Sequence, residues 1–309
     1  MKRNFWTLVA LLVVLSAFGQ ARSQNTSSVE DLSKPRGVEP PMMGIHWARG
    51  FNPNFLASRV RNARTKRSPN MTWHNGKIMP TAETENIFWG TSWATYSGDE
   101  IGGLDAWYQG FSNSNYSATS DEYTGTNGQV GAAIAYAGHV IDVAPASGGN
   151  NTSAILAEVC KEVAPDPSGN GYYAVYTDLP RGNSGYCAWH SYGSCGGLPV
   201  QFAFFWKLDN DPGCDPNDTS GLHSQGLAAL ANVSGHEVSE ARTDPRGGGW
   251  YDSAGAENGD KCAWTFNVPL VTFSDGNQWK IQGEWSNAAS NAGTGYLTAG
   301  GLRGCIDGH

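Results

Sequence analysis

His236-Glu237-Val238-Ser239-Glu240 closes a run with helical spacing that begins near residue 222, and Asp244-Pro245 follows it. Proline disfavours helical geometry in the residue before it, so a helix is predicted over about 222–243. Positions i and i+4 of a helix share a face, which stands His236 and Glu240 side by side. Glu237 then projects about 100° away around the axis. This is the zinc-protease helix pattern His-Glu-x-x-His with Glu in place of the second His. On a helical wheel Leu227, Leu230, Ser234, Val238 and Ala241 gather opposite His236 and form the side expected to face the core. His236 and Glu240 are expected on the other side, lining a cleft or meeting water.

Beyond the helix, Gly247-Gly248-Gly249 allows a sharp reversal that could return Glu257 or Asp260 over it. Zinc accepts imidazole nitrogen and carboxylate oxygen at about 2.0–2.2 Å, and a catalytic site keeps three protein ligands plus water. The expected metal set is therefore His236 and Glu240 with Glu257 or Asp260, and Glu237 is the expected catalytic general base. Carboxylate-rich ligation also suits harder divalent cations. His190, between Cys187 and Cys195, is a candidate extra ligand or transition-state donor. Blander readings compete. The His-Glu-x-x-Glu face could be a solvated polar surface, Glu257 and Asp260 could cap turn amides, and His190 could be an ordinary loop residue. His74, before Asn75-Gly76, reads as a hairpin turn.

Working outward, strands are expected at 85–90, 140–143, 172–176 and 200–208, with late strands at 270–273 and 279–285. Helices are expected at 101–111 and 152–163, the second capped by Thr152 or Ser153. Val200–Leu208 is apolar on both faces, which suits a central strand. Residues 112–130 and 247–259 read as loop. The mixed order predicts an α+β fold: one domain of helices packed on a mixed sheet, zincin-like in type and disulfide-stabilised. The Trp pairs 89/93 and 279/285 read as core packing or as a sugar-stacking platform.

The 309-residue chain begins with Lys2, Arg3 and the apolar run Leu8–Leu15, a signal-peptide pattern expected to end near Ala21. That run is too short to span a bilayer. Residues 22–69 read as a polar linker or propeptide, because Arg64-Thr65-Lys66-Arg67 fits a processing site as well as a solvated basic stretch. The globular domain is expected over 70–309. A formal charge of −8 argues against nucleic acid and anionic lipid as partners. The six cysteines of an exported chain favour three disulfides, with Cys187–Cys195, the nearest in sequence, as the first expected pair. N-x-S/T sequons, among them those at Asn25, Asn70, Asn115, Asn151, Asn217 and Asn232, would matter in a glycosylating host.

Four stretches in order carry a family resemblance. They are Trp73-His74-Asn75-Gly76-Lys77-Ile78 with the strand holding Ile87 and Trp89; Tyr186-Cys187 to Cys195-Gly196; Phe204 to Trp206 with Pro212-Gly213-Cys214; and Gly235-His236-Glu237 through Asp244-Pro245 to Trp250-Tyr251-Asp252. On these, spread over most of 71–287, the chain resembles the EXORDIUM-like, or phosphate-induced protein 1, family of secreted proteins. The resemblance implies an exported, disulfide-bearing protein of the kind found in plant cell walls, with the His-Glu-x-x-Glu helix as a recurring feature. The family's usual second cysteine near Cys214 is absent here. Two functions are expected from these readings. One is a secreted zinc- or other divalent-metal-dependent hydrolase of the peptidase kind, acting on an extracellular peptide. The other is a non-catalytic extracellular protein that binds cell-wall glycan or a surface partner.

Overall fold

Three β-rich segments, 171–177, 186–191 and 200–206, are buried without a break and build the centre of the molecule. The computed structural model describes residues 39–52 and 68–309; the expected signal peptide and the basic run at 59–67 lie outside them. The main sheet has six strands: β1 (Met43–Trp47), β2 (Ala82–Trp89), β3 (Ile134–Asp142), β4 (Gly171–Pro180), β5 (Tyr186–Cys195) and β6 (Leu198–Lys207). Their spatial order is β1-β5-β6-β4-β2-β3. β3, β2, β4 and β6 run parallel. β5 is antiparallel to β6, and β1 is antiparallel to β5. The sheet is mixed, as expected. β6 is central and its Val200–Phe205 are all buried, as its two-sided apolar sequence requires.

Helices cover the sheet on both faces. α1 (Glu100–Phe111), α2 (Thr152–Glu162) and α3 (Gln225–Thr243) are the long ones. Tyr176 of β4 ties α1 and α3 to one face: its hydroxyl lies 3.1 Å from that of Tyr108 and 2.7 Å from Ser234 Oγ. On β5, Gly193 faces Leu156 of α2 whereas His190 faces Glu240 of α3. Residues three apart on a strand point to opposite faces, so α2 packs on the other side. Asn151, one residue ahead of the expected cap, caps α2 by accepting from the Ala154 amide.

α3 departs most from expectation. It is buried on every side from Gly226 to Thr243, with no solvated face. Ser224 starts it by accepting from the Leu227 amide. The side expected to meet water is covered by β1, β5 and α4 (Asn258–Cys262). α4 is a short helix inside a segment that begins as the expected loop. Two wheel positions cannot reveal a helix wrapped by distant segments.

Other expectations need correction. Cys187 and Cys195 do not pair. Both lie on β5, eight residues apart along a strand rising about 3.3 Å per residue, which is too far for a disulfide. The bonds are Cys160–Cys195, Cys187–Cys214 and Cys262–Cys305, and no cysteine is free. His74 is not in a two-residue hairpin, because Thr72–Trp73 pairs with the distant Trp250–Tyr251. Trp89, Trp93, Trp279 and Trp285 are core residues. Asn232 is buried within α3, where a glycan has no room. The stretch 22–69, read as linker or propeptide, contributes β1 to the main sheet. No helix among the described residues is long and apolar enough to cross a membrane.

Candidate metal centre

α3 presents Glu240 as the hub of a largely buried polar cluster. His236 Nε2 lies 3.1 Å from Glu240 Oε2, one turn away on the same helix. His190 Nε2 of β5 lies 3.8 Å from that same oxygen and 3.3 Å from Glu257 Oε2. Asp260 Oδ1 stands 3.9 Å from His236 Nε2. Two triads result, His190–Glu240–Glu257 and His236–Glu240–Asp260, each with its donor atoms within 4.8 Å of one another. Ligand atoms about 2.0–2.2 Å from an ion lie roughly 3.3–3.6 Å apart in a tetrahedron, so the observed spacings are close to those of a coordination shell.

The predicted reversal after α3 makes this convergence possible. Asp244 Oδ1 accepts from the Gly249 amide at 2.7 Å, and Gly247 takes a positive φ of 71°. The chain then returns as α4. The Asp260 amide donates to Glu240 Oε1 at 2.8 Å. Gly259 permits the approach, since a Cβ there would meet His236 Nδ1 at 2.8 Å. Asp260 also caps, as the bland reading foresaw: its Oδ2 accepts from the Glu257 amide at 3.2 Å. Its other oxygen is the one turned toward His236.

Every group in the cluster but Asp260 is inside the protein; the Asp260 side chain keeps 18% of its surface exposed. His190, His236, Glu237 and Glu240 have no exposed surface, and Glu257 has 3%. Burial, reinforced by His236, pushes the His190 imidazole down to about 3. Burial pushes His236 down to about 4, against opposing pulls from Asp260 and the Gly44 backbone. Burial and then Glu240 raise Asp260 to about 8. Glu240 and Glu257 are raised well above the usual carboxylate range, chiefly by burial. Both imidazoles are thus held neutral, as a metal ligand requires, while the acids lack countercharge. His236 Nε2 and Glu240 Oε2 each complete no hydrogen bond despite their burial. Orphaned buried polar atoms of this kind are uncommon and costly.

Glu237 is enclosed as well. Its carboxylate is buried and raised well above the usual range by burial and by Glu240 and Asp260. Neither oxygen completes a hydrogen bond, although the His46 backbone amide favours its charged form.

Four contributors were not foreseen: Gly44, His46, Trp264 and Gln282. The Gln282 amide is oriented by donating to Gly259 O at 2.9 Å and accepting from Trp264 N at 3.3 Å. It thereby lies 3.1 Å from His236 Nδ1 and 3.0 Å from His46 Nε2. In this orientation Nδ1 accepts and the His236 proton sits on Nε2. A cation at Nε2 calls for that proton to move to Nδ1 and for the amide to turn. The sequence did carry one signal, since Met42-Met43-Gly44-Ile45-His46-Trp47-Ala48 is an apolar island in a polar region. His190 belongs to strand β5, not to a loop, and the aromatic content of Tyr186, Trp189 and Tyr192 marked that strand.

A surface cavity of about 280 Å³ lies elsewhere, lined by Lys77, Asn127, Gln201 and Arg246 among others. The His–acid cluster instead lies beneath Gly44 of β1, with Asp260 reaching solvent. Comparison of the chain with family models, curated proteins and solved structures gave no match.

Proposed function

We propose that this protein is a secreted, metal-dependent hydrolase of the peptidase kind. One observation carries the reading: two imidazoles and three carboxylates from α3, β5 and the α4 segment converge around Glu240 Oε2, with orphaned donor atoms among them. Glu240 and His236 would hold the cation, with His190, Glu257 and Asp260 completing its shell. Zinc fits the mixed nitrogen and oxygen donors, and such an ion lowers the pKa of its water to about 7. Glu237, on the same helix and within the field of Glu240 and Asp260, would take the proton from that water. Three disulfides and the expected signal peptide support export.

Metal content and turnover test this. Purified protein should carry about one equivalent of zinc by mass spectrometry, and His236→Ala should remove it. Glu237→Gln should keep the metal while hydrolysis of a quenched peptide library falls roughly 10²–10⁴-fold. Retained turnover in that variant would remove Glu237 from the chemistry.

Burial of His190, His236, Glu240 and Glu257 favours a second reading, a non-catalytic extracellular protein that binds glycan or a surface partner. The cluster would then be a structural element. Metal-free protein with an unchanged melting temperature would select that reading.

A further inference from the structure

We propose that the edge of β5 beside the His–acid cluster is a groove for an extended polypeptide, and that β1 is its built-in occupant. What would happen to a bound peptide rests on the hydrolase reading; the groove itself rests on β1 alone.

β1 joins the sheet at its edge by antiparallel backbone pairing: Met43 faces His190, His46 faces Ala188 and Trp47 faces Tyr186. Edge pairing of this kind takes affinity from the main chain and selectivity from side-chain positions. Three positions of β1 are read. At Gly44, φ is 45° and an added Cβ would lie 1.9 Å from Glu240 Oε2 and 2.4 Å from the His190 ring. Only glycine fits there, directly over the shared carboxylate. Between Met43 and His46 the strand carries one residue more than β5, and this bulge accommodates Gly44. His46 inserts its ring edge-on between His236, at 4.5 Å, and Trp264, at 4.6 Å. Arg49 places its guanidinium 4.2 Å over Trp264.

Trp264 points to the same conclusion. Its φ of 59° is unusual for a bulky residue, and such strain collects at sites of recognition. Its ring contacts go to β1 and the residues just after it: besides His46 and Arg49, its indole N–H donates to the Trp47 carbonyl at 2.9 Å. The groove therefore selects glycine over the cluster, a ring two residues on and arginine five residues on. β1 supplies all three in cis, at an effective concentration on the order of millimolar, and so holds the groove against outside peptides.

Fluorescence anisotropy on the full chain tests this, with a labelled synthetic peptide of residues 40–50 as probe. Wild type should show no saturable uptake at micromolar peptide. Gly44→Val should displace β1 and take up the peptide at least tenfold more tightly. Arg49→Ala, which loosens β1 away from the cluster, should do so to a smaller degree and carries the test should Gly44→Val fail to fold. The same peptide with valine at its glycine position should not bind. Variants with native near-UV circular dichroism that take up no peptide would overturn the proposal, as would equal binding of the valine peptide. Uptake without hydrolysis keeps the groove and removes the hydrolase; metal-dependent hydrolysis without uptake does the reverse.

Discussion

Acidic side chains gather in two places in this molecule, and the two handle their charge in opposite ways. Asp142, Glu158 and Glu162, at the end of β3 and on α2, also have oxygens spaced to hold a cation. They already have one. Lys161 Nζ lies 2.5 Å from Asp142, 2.8 Å from Glu162 and 3.4 Å from Glu158. Despite some desolvation, Asp142 is held below its usual range by that lysine. The cluster around Glu240 has comparable spacing, deeper burial and, among the described residues, no ion pair with a lysine or arginine. Spacing alone therefore does not distinguish a metal centre from a salt-bridge network. The difference lies in the basic partner: Lys161 serves one cluster, while the other leaves His236 Nε2 and Glu240 Oε2 without a hydrogen bond, which is costly for buried polar atoms.

The largest expected effect separates the two clusters outright. Glu240→Ala removes the carboxylate common to both triads and should abolish zinc retention, whereas Glu158→Ala should leave metal content unchanged. Equal metal loss in both variants would erase the distinction. A smaller effect is expected from Gln282→Leu, which frees the His236 ring from its amide while sparing every proposed ligand. Zinc affinity should change by about 10–100-fold, measured by competition with a chelator of known affinity. No change would mean that the ring is oriented by packing alone. The smallest effect concerns the compensated cluster. Burial and then Asp142 raise Glu158 to about 7, above its unfolded value of 4.5. Its contribution to stability is thus fully present below about pH 4.5 and is lost as pH rises through 7. Glu158→Gln lacks that loss, so its melting temperature relative to wild type should climb between pH 4.5 and 7. A flat difference would show that Lys161 already neutralises the site.

The sheet-forming stretches were legible because they repeat a strong local signal. Tyr172–Tyr176 and Val200–Leu208 are β-rich and apolar on both faces, and both became central strands. The helix at 225–243 was legible from spacing and from Asp244-Pro245. Its surroundings were not. Burial of His236 and Glu240 depends on β1, which reaches β5 across a separation in sequence that no local period records. His190 lay in plain view, yet its flanking cysteines suggested a clipped loop and concealed a strand. Glu257 and Asp260 were found because the Gly-rich reversal made their return physically possible. Gln282 gave no signal: a glutamine bridging two imidazoles resembles any other until the chain is folded.

The bond between Cys262 and Cys305 fastens the last residue of α4 to the strand Arg303–Ile306 near the C-terminus. That bond closes a loop of 43 residues, worth about 4 kcal/mol in chain entropy. Since α4 and its preceding residue supply Asp260 and Glu257, two of the three carboxylates of the cluster lie on a segment held by this covalent tether. A chain retained in a reducing compartment would keep α3 but lose the clasp that presses two of its acids into place.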